Sequence, residues 1–188
     1  MKLGKIVLAT LFASSILLAG NYKVDVSHSS VAFKVKHLMI SNVKGEFSDF
    51  SGTFEYDEKS NTLQSLKGVV KVDSIDTGIE KRDEHLKSAE IFNEEKYPEI
   101  VFTLSKVKGN KAYGEFTMHG VTKKVIFDYE SGGTIQDPWG NQRAGVALSG
   151  KIDRKDYGIT WNKILETGGV TVGESVKIEV ELEGILQK

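Results

Sequence analysis

Arg82, Asp83, Glu84 and His85 stand side by side within the stretch "EKRDEHLKSAEIFNEEKYPEIVF" (80–102). Such a run allows three kinds of chemistry: proton transfer, metal ligation, or the fastening of a helix over something it covers. For a metal, the available ligands are His28, His37, His85 and His119 with Asp25 and Asp83. No two of them have the i, i+4 spacing of H-E-x-x-H. The nine positions from His28 to His37 would send these two to opposite faces of an unbroken strand. The chain has no Cys, which removes thiolate zinc sites and a thiol nucleophile. No Ser lies in a G-x-S-x-G elbow, and Gly168 with Gly169 lacks the Lys-Ser/Thr ending of a phosphate loop. The residues therefore predict neither a catalytic centre nor a metal site, and the protein is expected not to be an enzyme.

The elements that must carry these residues are mostly strands. Over 176–182, Val176, Ile178, Val180 and Leu182 alternate with Lys177, Glu179 and Glu181, so one face is buried and one is wet. The same period of two recurs at Val31, Phe33, Val35 and His37, at Phe50 to Tyr56, at Leu66 to Val72, and then around Phe102, Phe116, Phe127 and Leu148. That predicts eight strands. Turn signals separate them at Ser41–Asn42, at 57–61, at Gly109–Asn110, at Gly120 and at Gly132–Gly133. Links this short join antiparallel neighbours, and a meander of eight strands removes its exposed edges by closing. The expected fold is all-β: an eight-stranded antiparallel β-barrel. Its inward faces mix large rings with Gly52, Gly68, Ala112, Gly114, Ala144 and Gly150. Small inward residues either leave a cavity or relieve bends, and the cavity is the preferred reading.

One helix interrupts the pattern, expected over 79–93 and stopped before Pro98. Helical spacing puts Arg82, Asp83, Leu86 and Ala89 on one stripe and leaves Lys81, Glu84 and Ser88 outside. A desolvated Arg82 then needs Asp83, a strand carbonyl or an anionic head group as partner. An ion-paired anchor is favoured over a head-group clamp, with Phe92 and Tyr97 pinning the helix end. His37, inward and near a strand end, is either a hydrogen-bonded core imidazole or a contact for a polar head. His119 reads as outward and structural, while Trp139 and Trp161 lie near strand ends, where each would rim a mouth or cap the core.

Lys2 and Lys5 followed by an uncharged apolar run over 6–18 have the layout of a secretory leader, too short for a permanent membrane span. Asn21 stands where a lipoprotein would need its acylated Cys. We expect a leader over 1–20, one domain over 21–188, and a periplasmic or secreted location without a transmembrane segment after cleavage. The net charge is −1 for 188 residues, and −3 once Lys2 and Lys5 are gone, so no nucleic-acid partner is expected. Without disulfides the fold rests on burial and hydrogen bonds.

Four blocks taken together, "DVSHSSVAFKVKHLMISNVKGEF", "RDEHLKSAEIFNEEKYPEIVF", "MHGVTKKV" and "IDRKDYGITWN", resemble the YceI-like, polyisoprenoid-binding family of secreted bacterial proteins, in register over the chain after the leader. The segment "KILETGGVTVGESV" (163–176) does not align. The resemblance implies a lipocalin-like barrel with the helix inserted between strands, holding a polyisoprenoid or similar long-chain amphiphile in its lumen. It implies no cofactor other than such a guest, whether an isoprenoid, an isoprenoid quinone or a fatty-acid-like lipid. A homodimer is implied by the resemblance alone. On this reading Phe33, Val35, Phe50, Phe54, Val70, Phe102, Phe116 and Phe127 form the wall, and His37, Arg82 and Trp161 meet the head. The alternatives are an enzyme or stress-related factor acting on isoprenoid-type lipids, and a filled barrel with no ligand.

Overall fold

The computed structural model describes residues 19–164 and 169–188. Residues 1–18 of the expected leader, and 165–168 of the unaligned segment, lie outside the described residues. Among the described residues eleven strands run in chain order: β1 (Gly20–Val24), β2 (Ser30–His37), β3 (Ser41–Phe47), β4 (Phe50–Asp57), β5 (Thr62–Lys71), β6 (Ile75–Asp76), β7 (Glu99–Lys108), β8 (Lys111–Met118), β9 (Val121–Gln136), β10 (Gln142–Asp153) and β11 (Val172–Leu186). Among the described residues the one α-helix, α1 (Glu80–Lys87), is inserted between β6 and β7.

Eight strands close an antiparallel barrel in the order β1-β4-β5-β7-β8-β9-β10-β11, with β11 returning to β1. All eight expected strands exist, but the last place in the ring belongs to β1 rather than β2. The long β11 explains this. Its last residues pair with β1 (Leu186 with Tyr22), while its earlier ones pair with β2 (Ile178 with Phe33). Between β1 and β2 the chain breaks at Asp25, whose side chain accepts from the Ser27 N–H and opens a 3-10 turn over Val26–His28. Beyond that break β2 carries β3 and β6 with it and does not pair with β4. The wall is therefore joined by β1 at one end and splayed at the other, the end where α1 lies.

Several local expectations are corrected. The β2–β3 turn is at 38–40, and Ser41 and Asn42 already belong to β3. Gly132 and Gly133 lie within β9, opposite a register shift at Gly145/Val146, and the turn comes later, around Asp137 and Asn141. A bulge needs the same permissive residue as a turn, which is why glycine misleads there. The helix is also shorter than expected. Ser88 leaves helical geometry at ψ 165° and Asn93 takes φ 50°, which brings Ile91, 8% exposed, onto the barrel. His28 and His37 do not share an unbroken strand, because His28 is in the 3-10 turn.

The joined end of the barrel is filled. Tyr22 stacks on Phe54 with ring centroids 5.3 Å apart and meets Tyr56 edge-on at 6.4 Å. Tyr22, Phe54, Tyr56 and Leu63 are all essentially inaccessible. Gly184 makes room here, since a Cβ on it would fall 2.5 Å from the Phe54 ring. The phenols reach polar partners at the rim, Tyr22 donating to Glu58 at 2.7 Å. Burial, followed by the Glu58 carboxylate, holds the Tyr22 phenol above its ordinary range.

Candidate functional site: a blind cavity under a basic rim

At the splayed end the lumen is hollow. A cavity of about 330 Å³ lies there, within the roughly 300–1,000 Å³ of small-molecule sites. Of the expected wall residues, Phe33, Val35, Phe50, Val70, Phe102, Phe116 and Phe127 line it. Phe54 does not, because it belongs to the filled layer below. Val24, Leu66, Leu148 and Leu182 form the floor between the two regions, and Leu86, Ile91 and Phe92 lie across the top.

The inward glycines divide by partner. Gly114 faces the Phe102 ring, which a Cβ would approach to 2.6 Å, and Gly150 is likewise filled by Phe127. These two accommodate rings. Gly52 and Gly68 instead face each other in register and line the cavity. A Cβ on Gly68 would have only the Ser51 carbonyl within reach, at 4.0 Å, so this glycine does leave space.

The three expected head-region residues, His37, Arg82 and Trp161, all line the cavity. Among the described residues, every ionisable side chain on its lining is basic: Lys36, His37, Arg82, His85 and Arg154. Their partners differ. Arg82 does not pair with Asp83. Its Nε donates to Thr77 Oγ1 at 2.7 Å and an Nη to the Thr77 carbonyl at 2.7 Å. The buried Asp83 carboxylate accepts from the Thr77 N–H at 3.0 Å and from its hydroxyl. The two charges thus clasp the turn that leads into α1, so the helix anchor is built through one threonine. His85 meets Glu90 at 2.8 Å and lies edge-on to Trp161, with centroids 4.9 Å apart. The His37 imidazole, like the Lys36 ammonium, meets no hydrogen-bond partner among the described residues.

Sequence reasoning missed Arg154. It starts the 3-10 turn Arg154–Tyr157 and is buried, yet among the described residues no carboxylate touches it. Its guanidinium donates to four carbonyls: Gly173 at 2.9 Å, Ile159 at 2.8 Å, Trp161 at 2.9 Å and Val172 at 3.3 Å. Burial holds its pKa below the ordinary arginine value. It ties the segment bearing Trp161 to the start of β11 and so shapes one side of the mouth. The only signal for it was its place in "IDRKDYGITWN".

A second polar cluster lies outside the cavity. Asp25, His28 and Glu183 bring one ligand atom each within 4.8 Å of one another. Arg143 already occupies that charge, donating to Asp25 at 2.8 Å, to Asp137 at 2.7 Å and to Glu183. Hydrogen bonds from Arg143 and then His28 hold the Asp25 carboxyl down at about 2. Asp137 is lower still, because hydrogen bonds from Arg143 and Asn141 outweigh the opposing effect of burial. Arg143 is raised in turn, by Asp137 above all. The cluster is a salt-bridged lock between the start of β10, the turn before it and the end of β11.

A barrel packed solid at one end and hollow at the other, covered by a short inserted helix, defines the class of this protein. It belongs to the YceI-like family, whose domain model matches residues 22–184. A UPF0312 protein of Staphylococcus aureus (strain N315) is 41% identical over 166 residues, spanning 87% of this chain and 96% of the relative. The crystal structure of the Campylobacter jejuni YCEI protein superposes with a TM-score of 0.70 at 32% identity, over 81% of this chain and 90% of that one. A polyisoprenoid binding domain from Saccharophagus degradans shares the fold, with a TM-score of 0.68 at 16% identity over 90% of this chain and 99% of its own.

Proposed function

We propose that the protein is an exported binding protein that carries one long-chain amphiphile, a polyisoprenoid or a lipid of similar shape, tail-first in the barrel. One observation carries this reading: among the described residues the lumen is hollow at the splayed end, apolar along its wall, and edged by basic groups and no acid. An apolar tail removes its surface from water at roughly 0.8 kcal/mol per methylene, and donors at the rim suit a phosphate, carboxylate or carbonyl head. Binding is favoured over catalysis because, among the described residues, no hydroxyl or amine on the lining is hydrogen-bonded to a base, and the His85–Glu90 pair stands partly exposed against Trp161. The family and the fold shared with a polyisoprenoid binding domain support the ligand class. Lys2, Lys5 and the apolar run over 6–18 have the layout of a secretory leader and support export to the periplasm or beyond the cell.

The test is mass spectrometry of organic extracts from natively purified protein, set beside Gly68→Leu. The substitution fills the cavity from a position with open space before it. The expected result is a lipid recovered from the parent protein and lost from the variant, with both melting alike. A parent protein that yields no lipid after expression in a lipid-replete host would refute the proposal.

A further inference from the structure

The tip of the β2–β3 hairpin is built from the wrong residues for a turn in water. Leu38, Met39 and Ile40 occupy it, 36%, 55% and 83% exposed. Leu38 and Met39 both take positive φ, 50° and 63°. Glycine or asparagine rests there at little cost, whereas bulky side chains do not. A second ribbon lies against this tip. The Leu38 N–H donates to the Thr171 carbonyl at 2.8 Å, and the Thr171 N–H to Lys163 at 3.0 Å. Next to Lys163, Ile164 is 86% exposed and bridges to Val170. Leu38, Met39, Ile40 and Ile164 together form an apolar crest.

Two further facts say what the crest meets. First, it continues directly from the cavity: Lys36 and His37 before it, and Thr171 and Val172 beside it, all line the lumen. Second, among the described residues the charges beside the crest are basic: Lys36 precedes it in β2 and Lys163 adjoins Ile164, while Lys34 and Lys44, farther down the hairpin, lie near Glu179 of β11. Two copies meeting through this face would set like charges against each other, whereas an anionic surface with an apolar interior satisfies both the charges and the side chains.

We propose that this crest docks on an anionic lipid bilayer, with its apolar side chains below the head groups and its lysines at the phosphates, so that the cavity mouth faces the membrane. The purpose of such docking rests on the carrier reading above, but its evidence does not.

The experiment uses a chain beginning at Ala19, which keeps every strand of the ring and omits the apolar residues 6–18. It is sedimented with vesicles of phosphatidylethanolamine and phosphatidylglycerol, and with vesicles of phosphatidylcholine alone. We expect binding to the anionic vesicles only, weakened by added salt. In Met39→Ser/Ile40→Ser it should fall on the order of tenfold or more, with the melting temperature and the extracted lipid unchanged. Absence of binding by the parent chain, equal binding by the variant, or a crest that instead drives self-association in solution would each overturn the proposal. Lipid extraction keeps the two ideas separate: lipid without vesicle binding sinks the docking alone, and vesicle binding without lipid sinks the carrier reading alone.

Discussion

Among individual residues, Arg143 offers the sharpest test of what holds the structure together. It is the shared donor for Asp25, Asp137 and Glu183. Asp25 binds its proton at about 2 in the folded protein, against an ordinary value of 3.8. A depressed folded pKa gives stability that is fully present above the unfolded value and is lost as pH falls through the folded one. Arg143→Gln should therefore lower the urea midpoint at pH 7, and the gap from the parent should close as pH falls from about 4 toward 2. A gap that stayed constant across that window would mean that Arg143 stabilises by packing rather than by charge. Residues were also where sequence reading met its limits. Phe54 shares a face with Phe50 by alternation, and alternation gives the face but not the depth. Four residues along a strand are roughly 13 Å, which is enough to move a ring from the hollow to the filled layer. Arg154 escaped because nothing in its neighbourhood showed that four carbonyls would converge on it.

Among the elements, strands were legible and their boundaries less so. Period two marked all eight expected strands, since each has one wet face. β1 went unseen because its few residues adjoin the leader, and β3 because Ser41 and Asn42 read as a turn. The "Val43-x-Gly45-x-Phe47" alternation was there to find, and Gly45 is small because the Phe33 ring lies against it. The helix has its own test. Arg82 and Asp83 fasten its approach through Thr77, so Arg82→Ala should cost about 1–3 kcal/mol of stability through lost charged hydrogen bonds. Lipid retention should change less than stability does. Denaturation curves read beside lipid extraction decide this, and a variant that unfolds like the parent but is empty would make Arg82 a head-group contact instead.

For the whole molecule, closure was readable and asymmetry was not. Short links and the need to remove edges predict a ring, but nothing in the pattern says that β1 completes it at one end while β2, β3 and β6 splay away at the other. The small inward residues pointed to a cavity for only half of the right reasons. Gly68 leaves space, while Gly114 and Gly150 are filled by Phe102 and Phe127. The floor formed by Val24, Leu66, Leu148 and Leu182 should then act as a ruler for the guest. Leu66→Ala deepens the lumen at a cost of about 2–5 kcal/mol. The expected result is a shift of the extracted lipids toward longer chains, and an unchanged mass distribution would show that the floor does not set length.

Because the Tyr22–Phe54 layer seals the far side, the described residues leave the hollow one doorway, at the splayed end. On the proposed carrier reading, filling and emptying follow the same track in opposite directions, so a giver and a receiver would take turns at one threshold.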